Sequence, residues 1–399
     1  MDALTTPSNW QRVRLGDIAE IKRGASPRPI ENPKWFCANS NVGWVRISDI
    51  SKNSRFLYKT AQKLSKKGIE KSRLVKQNSL IMSMCATIGK PIITKIDTCI
   101  HDGFVVFENP KIDLNYLYYF LCYIEKEWLE SGQQGSQVNL NVDLIKNKEV
   151  FYPKDLNEQI AIANILSDVD CYLYNLDALI LKKESVKKAL SFELLSQRKR
   201  LKGFNQAWQR VRLGDICEFG NGGAYETLIV ENGNFKLISL NSVDIDGNLK
   251  NTMKRVNFYD NSLKQGDIVM VLSDVAHGDF LGLCAVIPSN DYVLNQRMGR
   301  LRIRNDCINI LFLRLYINAN QKYFKMQGQG SSQLNLSKKA IEYFEILLPP
   351  LNEQIAIANI LSALDNEIIS LKNKKRQFDN IKKALNHDLM SAKIRVLNK

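Results

Sequence analysis

The sequence predicts an α+β protein in which two globular domains, arranged as a tandem repeat, are separated by a long antiparallel coiled coil of two helices. The first observation is that the segment LNEQIAIANILS occupies residues 156–167 and returns unchanged at residues 351–362. The second is that WQRVRLGDI occupies residues 10–18 and returns at residues 208–216. The offsets of 195 and 198 residues are nearly equal, which indicates a duplicated unit.

The third observation is an apolar seam in each of the two segments that begin with LNEQ. Apolar residues four and three positions apart form a heptad pattern, which places one stripe of each helix against a partner helix. These positions are Ile162, Leu166, Val169, Leu173, Leu176 and Ile180 in the first segment, and Ile357, Leu361, Leu364, Ile368 and Leu371 in the second. The second helix must run back along the first, so the pair is predicted to be antiparallel, with each helix roughly 60 Å long. The alternative is two helices packed separately on their own domains, which the uninterrupted seams disfavour.

The domain boundaries follow from these repeats. The predicted domains are residues 1–155 and 204–350, and the predicted helical segments are residues 156–203 and 351–399. Short alternating or apolar runs in the first domain predict strands, and one amphipathic run predicts a helix. The strands are expected at residues 12–15, 43–47, 79–84, 92–93, 104–107 and 150–153, and the helix at residues 114–128. The second domain repeats this order with divergent loops, as expected of two binding domains built on one frame.

The charge balance favours a polyanionic partner. The 399 residues include 56 Lys and Arg against 41 Asp and Glu, a net charge of +15, so nucleic acid is the first candidate. The alternative is a soluble protein that is basic without such a partner. The eight cysteines form no CxxC pair, and no signal pattern or membrane-spanning run is present. We therefore expect a soluble, cytoplasmic protein with reduced thiols, no zinc site and no membrane contact.

The sequence does not predict a catalytic site. It has no GxxxxGK[ST] loop for a nucleotide, and both Asn-Pro dipeptides, at residues 32–33 and 109–110, are followed by lysine. An amino-methyltransferase would be expected to have a second proline and an aromatic residue there. The glycine cluster FGNGG at residues 219–223 is a weak sign of a methyl-donor site, and the three histidines lie far apart. We therefore predict no catalytic residue, no metal and no cofactor.

The order of the motifs resembles that of the specificity subunits of type I restriction-modification enzymes. The matching segments are W..VRLGDI at the start of each unit, LVKQNSLIMS at residues 74–83, the PxxLNEQ-type approach to each long helix, and the endings LLSQRKRLKGF at residues 194–204 and LMSAKIRV at residues 389–396. The resemblance spans nearly the whole chain, and the duplicated order is more specific than any single motif. One departure is Ala392, where such endings often have glycine.

The resemblance implies a non-catalytic subunit that recognises double-stranded DNA. Each globular unit would be a target recognition domain that reads half of a bipartite, asymmetric target, and the helices would set the spacer. Two methyltransferase subunits would dock on the helical region, and restriction subunits, which carry the motor and nuclease, would join them. Alternatives are a specificity subunit whose partner fuses nuclease and methyltransferase, a self-sufficient DNA methyltransferase, and a scaffold that binds only proteins.

Residues that contact DNA are expected in loops, where Arg and Lys suit guanine and Asn and Gln suit adenine. Residues that differ between the units are the stronger candidates for base reading: Arg28, Arg55 and Lys90 in the first unit, and Asp279, Arg297 and Arg300 in the second. His277, in the same loop as Asp279, is a further candidate for a DNA contact, and the alternative for it is a surface or packing role. Two glycine-rich loops add Gln133, Gln134 and Ser136, and Gln329, Ser331 and Ser332. The recurrence of these loops also fits a purely structural turn. Lys63, Lys66, Lys67, Lys71 and Arg73 are expected to contact phosphates, which position a protein without reading sequence.

Overall fold

The computed structural model describes residues 7–52, 55–131, 140–275 and 278–396. The chain divides into two compact units, which we call unit 1 (residues 1–177 and 373–399) and unit 2 (residues 178–372). Each unit combines one globular region with one segment of each of the two long helices.

The described residues of unit 1 form three sheets. Its strands are β1 Trp10–Arg14, β2 Glu20–Arg23, β3 Gly43–Val45, β4 Phe56–Leu57, β5 Gln62–Lys63, β6 Arg73–Val75, β7 Leu80–Ser83, β8 Pro91–Thr94, β9 Thr98–Ile100, β10 Phe104–Glu108 and β11 Glu149–Pro153. Its helices are α1 Leu15–Ile18, α2 Ile47–Ser51, α3 Lys66–Glu70, α4 Leu114–Tyr123, α5 Glu125–Ser131 and α6 Val142–Asn147, and the long helix α7 Leu156–Leu195 begins here. One sheet has the order β2-β10-β7-β8-β4, a second has the order β5-β3-β9-β6, and β1 pairs with β11.

The apolar run Leu80–Ser83 forms a central strand because both of its faces are covered. Successive side chains of a strand point to opposite faces. Leu80 and Met82 pack in the core that also contains α4, whereas Ile81 packs with Val45 and Ile100 of the second sheet. The helix predicted over residues 114–128 is divided into α4 and α5 at Ile124, where the backbone leaves helical geometry.

Unit 2 repeats this frame. Its strands are β12 Gln209–Arg212, β13 Cys217–Asn221, β14 Phe235–Ile238, β15 Arg255–Val256, β16 Ile268–Val271, β17 Ser273–Val275, β18 Cys284–Val286, β19 Tyr292–Leu294, β20 Met298–Ile303, β21 Gln333–Asn335 and β22 Glu345–Leu348. Its helices are α8 Leu213–Ile216, α9 Ile310–Ala319, α10 Gln321–Gln327 and α11 Lys338–Glu342, followed by the long helix α12 Leu351–Met390. The order β13-β20-β16-β18 matches β2-β10-β7-β8, and β14 runs parallel to β19 as β3 does to β9.

The two motifs that repeat in the sequence contact each other in each unit. In unit 1 the indole Nε1 of Trp10 donates to Glu158 at 3.2 Å, and in unit 2 that of Trp208 donates to Glu353 at 3.0 Å. Both glutamates are buried, and a buried carboxylate has to be hydrogen-bonded. This requirement explains why the tryptophan and the glutamate recur together.

The glutamine that follows each of these glutamates joins three segments. Gln159 donates to the carbonyl of Pro153 at 2.8 Å and accepts from the backbone N–H of Asp113 at 2.8 Å. Gln354 makes the equivalent bonds, to the carbonyl of Pro349 and from the N–H of Asn309. The LNEQ motif therefore fastens the start of each long helix to the last strand and to the N-terminus of α4 or α9.

The long helices pair antiparallel within each unit. In unit 1, Asp170 and Asp177 of α7 form ion pairs with Lys382 and Lys375 of α12, so the numbering falls on one helix as it rises on the other. In unit 2, Lys183 lies 2.8 Å from Glu367, and Lys187 pairs with Asp365. Seam positions in both helices are buried, among them Ile162, Leu166, Leu173, Ile357, Leu361 and Ile368. The predicted α+β class, the tandem repeat and the antiparallel pairing are confirmed.

Candidate nucleic-acid interface

A patch of exposed cations covers α3 and its flanking strands in unit 1. We call it the basic patch, and its members are Lys63, Lys66, Lys67, Lys71 and Arg73. Ser65 caps α3 by accepting from the N–H of Gly68 at 3.2 Å, which fixes where the helix begins. Within the described residues none of these five cations forms an ion pair, so their charge is available to an anion. Arg73 is half-buried, and its Nε donates to the carbonyl of Arg23.

A cleft of about 530 Å³ lies beside the carboxyl ends of the parallel strands β3 and β9. We call it the arginine cleft. It is lined by Ser26, Arg28, Ile30, Trp44, Arg46, Ile47, Ser48, His101 and Asp102. Arg28 is the predicted base reader in this group, and the other lining residues were not singled out by the sequence. The signal that could have found Asp102 is its position two residues after the buried run Thr98–Ile100.

Hydrogen bonds hold the carboxylate of the arginine cleft in its ionised form. The Ser26 hydroxyl donates to Asp102 at 2.8 Å, and this bond, aided by the charge of Arg28, lowers the pKa of Asp102 below its ordinary value. Arg28 Nη2 lies 3.0 Å from the second oxygen of Asp102. Burial lowers the pKa of His101, so its ring is uncharged near neutral pH and the positive charge of the cleft resides on its arginines.

Two candidate loops of unit 2 emerge at the same end of one strand pair. The register joins the last residue of β17 to the first of β21, so the loop after β17 and the loop before β21 begin side by side. The first carries Asp279, whose carboxylate pairs with Lys325 at 2.9 Å. The second carries Gln329, Ser331 and Ser332, all exposed. A pair of backbone hydrogen bonds between Gln329 and Asn335, at 3.0 and 2.9 Å, closes the second loop.

Two predicted arginines of unit 2 have different surroundings although they are close in sequence. Arg297 is exposed and lies in the turn between β19 and β20 with a positive φ of 66°. Arg300 lies within β20, with 14% of its side chain exposed, and it donates to Glu218 and to the carbonyl of Ser262. Little of Arg300 therefore remains for a base edge.

The surroundings of Arg55 do not favour the predicted role in base reading. Its side chain is buried, with only 7% of the residue exposed, and its guanidinium donates to Tyr119 at 3.0 Å, to Ser167 at 2.6 Å and to Asn115 at 2.6 Å. These bonds tie the globular region of unit 1 to α4 and α7, so Arg55 is a structural residue. Lys90 lies directly before β8, at the loop end of the β7–β8 hairpin, and is half-exposed.

Several predictions fall on parts of the chain outside the described residues. These are Gln133, Gln134 and Ser136 in unit 1 and His277 in unit 2.

The described residues contain no group of three or more His, Cys, Asp or Glu side chains that could hold a metal ion. Burial raises the pKa of Cys99 to about 11 and those of Cys122 and Cys217 to about 12, so these thiols are protonated at neutral pH and are poor nucleophiles. Over the same described part of the chain, no helix combines the length and the apolar character that a membrane crossing requires.

The chain matches a known family along most of its length. The model of the type I restriction modification DNA specificity domain matches twice, at residues 7–183 and 205–378. The two matches correspond to the two copies of the duplicated unit. The same duplication was found from the repeated motifs.

Curated relatives and solved structures are also similar to this chain. The MjaVIII type I restriction enzyme specificity subunit of Methanocaldococcus jannaschii is 26% identical over 425 aligned positions, which cover 100% of this chain and 96% of the relative. The EcoprrI specificity subunit of Escherichia coli is 26% identical over 145 residues, 35% of each chain. The crystal structure of a type I restriction-modification S subunit from M. genitalium has a TM-score of 0.64 at 17% identity and 97% coverage of both chains. A chain from a study of complex assembly and conformational transition in the type I R-M system has a TM-score of 0.60 at 15% identity, with 96% and 98% covered.

Proposed function

The chain belongs to the family of type I restriction-modification DNA specificity subunits, and from this premise we propose that it reads a bipartite, asymmetric DNA target with a fixed spacer. As a member of that family it is a DNA-recognition subunit and not itself a catalyst. This membership sets aside the alternatives of a self-sufficient methyltransferase and of a scaffold that binds only proteins.

The observation that carries the proposal is a repeated frame with unlike loops. The two units share a sheet order, a parallel strand pair and the Trp–Glu contact. The exposed loops on these frames differ: unit 1 has the basic patch and the arginine cleft, and unit 2 has the paired loops around Asp279 and Gln329. Two units with different surfaces recognise different base sequences, so the two half-sites differ.

We assign phosphate and base contacts to different surfaces. The lysines of the basic patch suit phosphates, because they are flexible point charges without a fixed orientation. Arg28 and Lys90 in unit 1, and Arg297, Asp279, Gln329, Ser331 and Ser332 in unit 2, are the proposed base readers among the described residues. Gln133, Gln134, Ser136 and His277 remain proposed contacts on the sequence pattern alone.

The two long helices are proposed to set the spacer. Helical DNA readers on one face of a duplex engage half-sites about 34–36 Å apart, or multiples of this distance. A helix pair can hold such a distance if it resists bending. Interhelical ion pairs and the contact of the Tyr172 and Phe378 rings, whose centroids are 4.5 Å apart, support this stiffness in unit 1.

The helices are also the proposed docking site for two methyltransferase subunits, which restriction subunits then join. Apolar side chains that remain exposed on α7 support a protein partner, since large apolar groups on a surface often mark an interface. Tyr174 is 72% exposed, Leu181 64% and Phe192 56%.

The experiment that tests the proposal is a map of methylated positions in a methylation-free host. The chain is expressed with the methyltransferase subunits of its own system, and the expected result is one split, asymmetric motif with a constant gap. Residues 208–350 are then exchanged for those of a relative, and only one half of the motif should change. A wild-type chain that produces no motif would refute the proposed function, and an exchange that alters both halves would refute independent reading.

A further inference from the structure

We propose that the arginine cleft of unit 1 reads a guanine, with Arg28 donating two parallel hydrogen bonds to the N7 and O6 atoms of that base. This inference rests on the proposed function, which supplies the DNA and a base-reading role for Arg28, and it adds the base and the geometry of the contact. Arginine paired with these two acceptors is the commonest specific contact in the major groove.

Asp102 holds Arg28 in place but engages only one of its donors. Ser26 orients Asp102, and Asp102 accepts from only one terminal nitrogen of Arg28, at 3.0 Å. The side chain of Arg28 is 77% exposed, and its other donors have no partner among the described residues. A guanidinium fixed on one side by a carboxylate and open on the other presents its planar fork with less loss of side-chain entropy on binding.

The carboxylate of Asp102 also favours a base over a phosphate as the partner of Arg28. A phosphate beside Arg28 would lie close to the ionised Asp102 and be repelled by it, whereas the edge of a guanine carries no net charge. The lysines of the basic patch have no carboxylate paired with them in the described residues, so that surface is better suited to phosphates. Asp102 therefore favours a neutral acceptor pair at the arginine cleft.

One residue that lines the cleft has a buried donor without a partner. Trp44 is 1% exposed and lines the cleft, and its Nε1 has no hydrogen-bond partner in the described part of the chain. A buried N–H group is normally satisfied, so this indole is an exception in the wall of the cleft.

Unit 2 lacks this combination at the matching place. Backbone hydrogen bonds align the two turns: Gly24 donates to Phe104 and Ala25 to Ile100, as Gly222 donates to Met298 and Gly223 to Leu294. The same alignment puts Gln296 at the position of Asp102. The parallel pairs β3–β9 and β14–β19 put Ser239 at the position of Arg46. The guanine is therefore expected in the half-site that unit 1 reads, and it is recognised differently from any base that unit 2 reads.

The test compares Arg28→Lys and Arg28→Ala with the matched control Arg12→Lys. Arg12 is also an exposed arginine of unit 1 paired with a carboxylate, Glu149, but it lies on β1, outside the residues that line the cleft. Each variant is expressed with the methyltransferase subunits, its motif is mapped, and binding to duplexes with one substituted base pair is measured at several salt concentrations. The exchange of residues 208–350 identifies the half-site that unit 1 reads.

We expect Arg28→Ala to lose about 10- to 100-fold of the discrimination at one guanine in that half-site, the loss of one bidentate contact, and Arg28→Lys, which can still donate to guanine but lacks the planar fork, to lose less. The other half-site, the salt dependence and the Arg12→Lys variant should match wild type. Unchanged discrimination at every guanine would overturn the inference while leaving the proposed function intact. A uniform loss across all sequences with a shallower salt slope would also overturn it, because that result identifies a phosphate contact. Absence of any motif for the wild type would instead refute the proposed function.

Discussion

The buried glutamates of the two units are both hydrogen-bonded, but their donors differ. In unit 2, Glu353 accepts directly from Arg200, with a second nitrogen–oxygen contact at 2.6 Å, and from Trp208. In unit 1, Arg395 donates to the side-chain oxygen of Asn9 at 2.7 Å, and the amide nitrogen of Asn9 donates to Glu158 at 2.9 Å. The residue before the tryptophan explains the difference, because unit 2 has alanine there and unit 1 has asparagine.

The comparison shows how far a duplicated unit can drift while its frame is kept. The tryptophan, the glutamate and the glutamine keep their contacts, because each satisfies a buried polar group. The arginine from the helix ending can change its partner because it is only partly buried. The loops have no such constraint, and they carry the surfaces that differ between the units.

The largest expected effect comes from four residues inserted into α7 after Glu184. The insertion moves the following part of the helix by about 6 Å and breaks the register of Lys187 with Asp365, while the Asp170–Lys382 pair in unit 1 is not altered directly. Methylation at the native gap should be lost, whereas the two half-site sequences should persist at a new gap. Methylation mapping checks this result, and an unchanged gap would contradict a spacer role for the helices.

The next effect separates the two buried glutamates. Glu353→Gln leaves Arg200 without its carboxylate, so we expect a loss of about 3 kcal/mol in the free energy of unfolding. Glu158→Gln faces the neutral donors of Asn9 and Trp10, so we expect a loss of about 1 kcal/mol. Urea unfolding of the two variants measures the difference. Equal losses would show that the direct and bridged arrangements are equivalent.

A third comparison sets a buried arginine against an exposed one within unit 1. Arg55→Ala leaves the hydroxyl of Tyr119 and the amide of Asn115 without their donor, and it should cost about 2 kcal/mol of stability. The half-site should still be read as before. Arg28→Ala should leave stability within about 0.5 kcal/mol of wild type, because its ion pair is exposed. Thermal unfolding and motif mapping of both variants test this comparison. A larger loss of stability for Arg28→Ala than for Arg55→Ala would contradict it.

The smallest expected effect concerns the ends of the two long helices. Ala392 and Gln197 have positive φ angles of 58° and 62°, a conformation that glycine adopts without the cost paid by other residues. Gln197→Gly should stabilise the protein by about 1 kcal/mol. Ala392→Gly should gain less, because the methyl group of Ala392 packs partly against the core of unit 1. Calorimetry of both variants tests the ranking, and destabilisation by Gln197→Gly would contradict it.

The sequence alone was sufficient for the duplication, the α+β class and the antiparallel helix pair. Repeats and heptads are patterns of neighbouring residues, and the seam from Ile162 to Ile180 can be recognised without knowing any distant contact. Local patterns were less reliable where an element ends: the helix predicted over residues 114–128 is interrupted at Ile124.

Only the tertiary structure decided which charged side chains are free. Arg55 and Arg28 are both arginines in polar loops, yet Arg55 is buried by bonds to Asn115 and to Ser167, which is 112 positions away. Arg28 stays exposed beside Asp102, 74 positions away. Partners this distant leave no mark on the local pattern of charge or hydrophobicity, because folding, and not the order of residues, brings them together. For that reason the frame could be predicted from the sequence, whereas the arginine cleft could be recognised only in the folded chain.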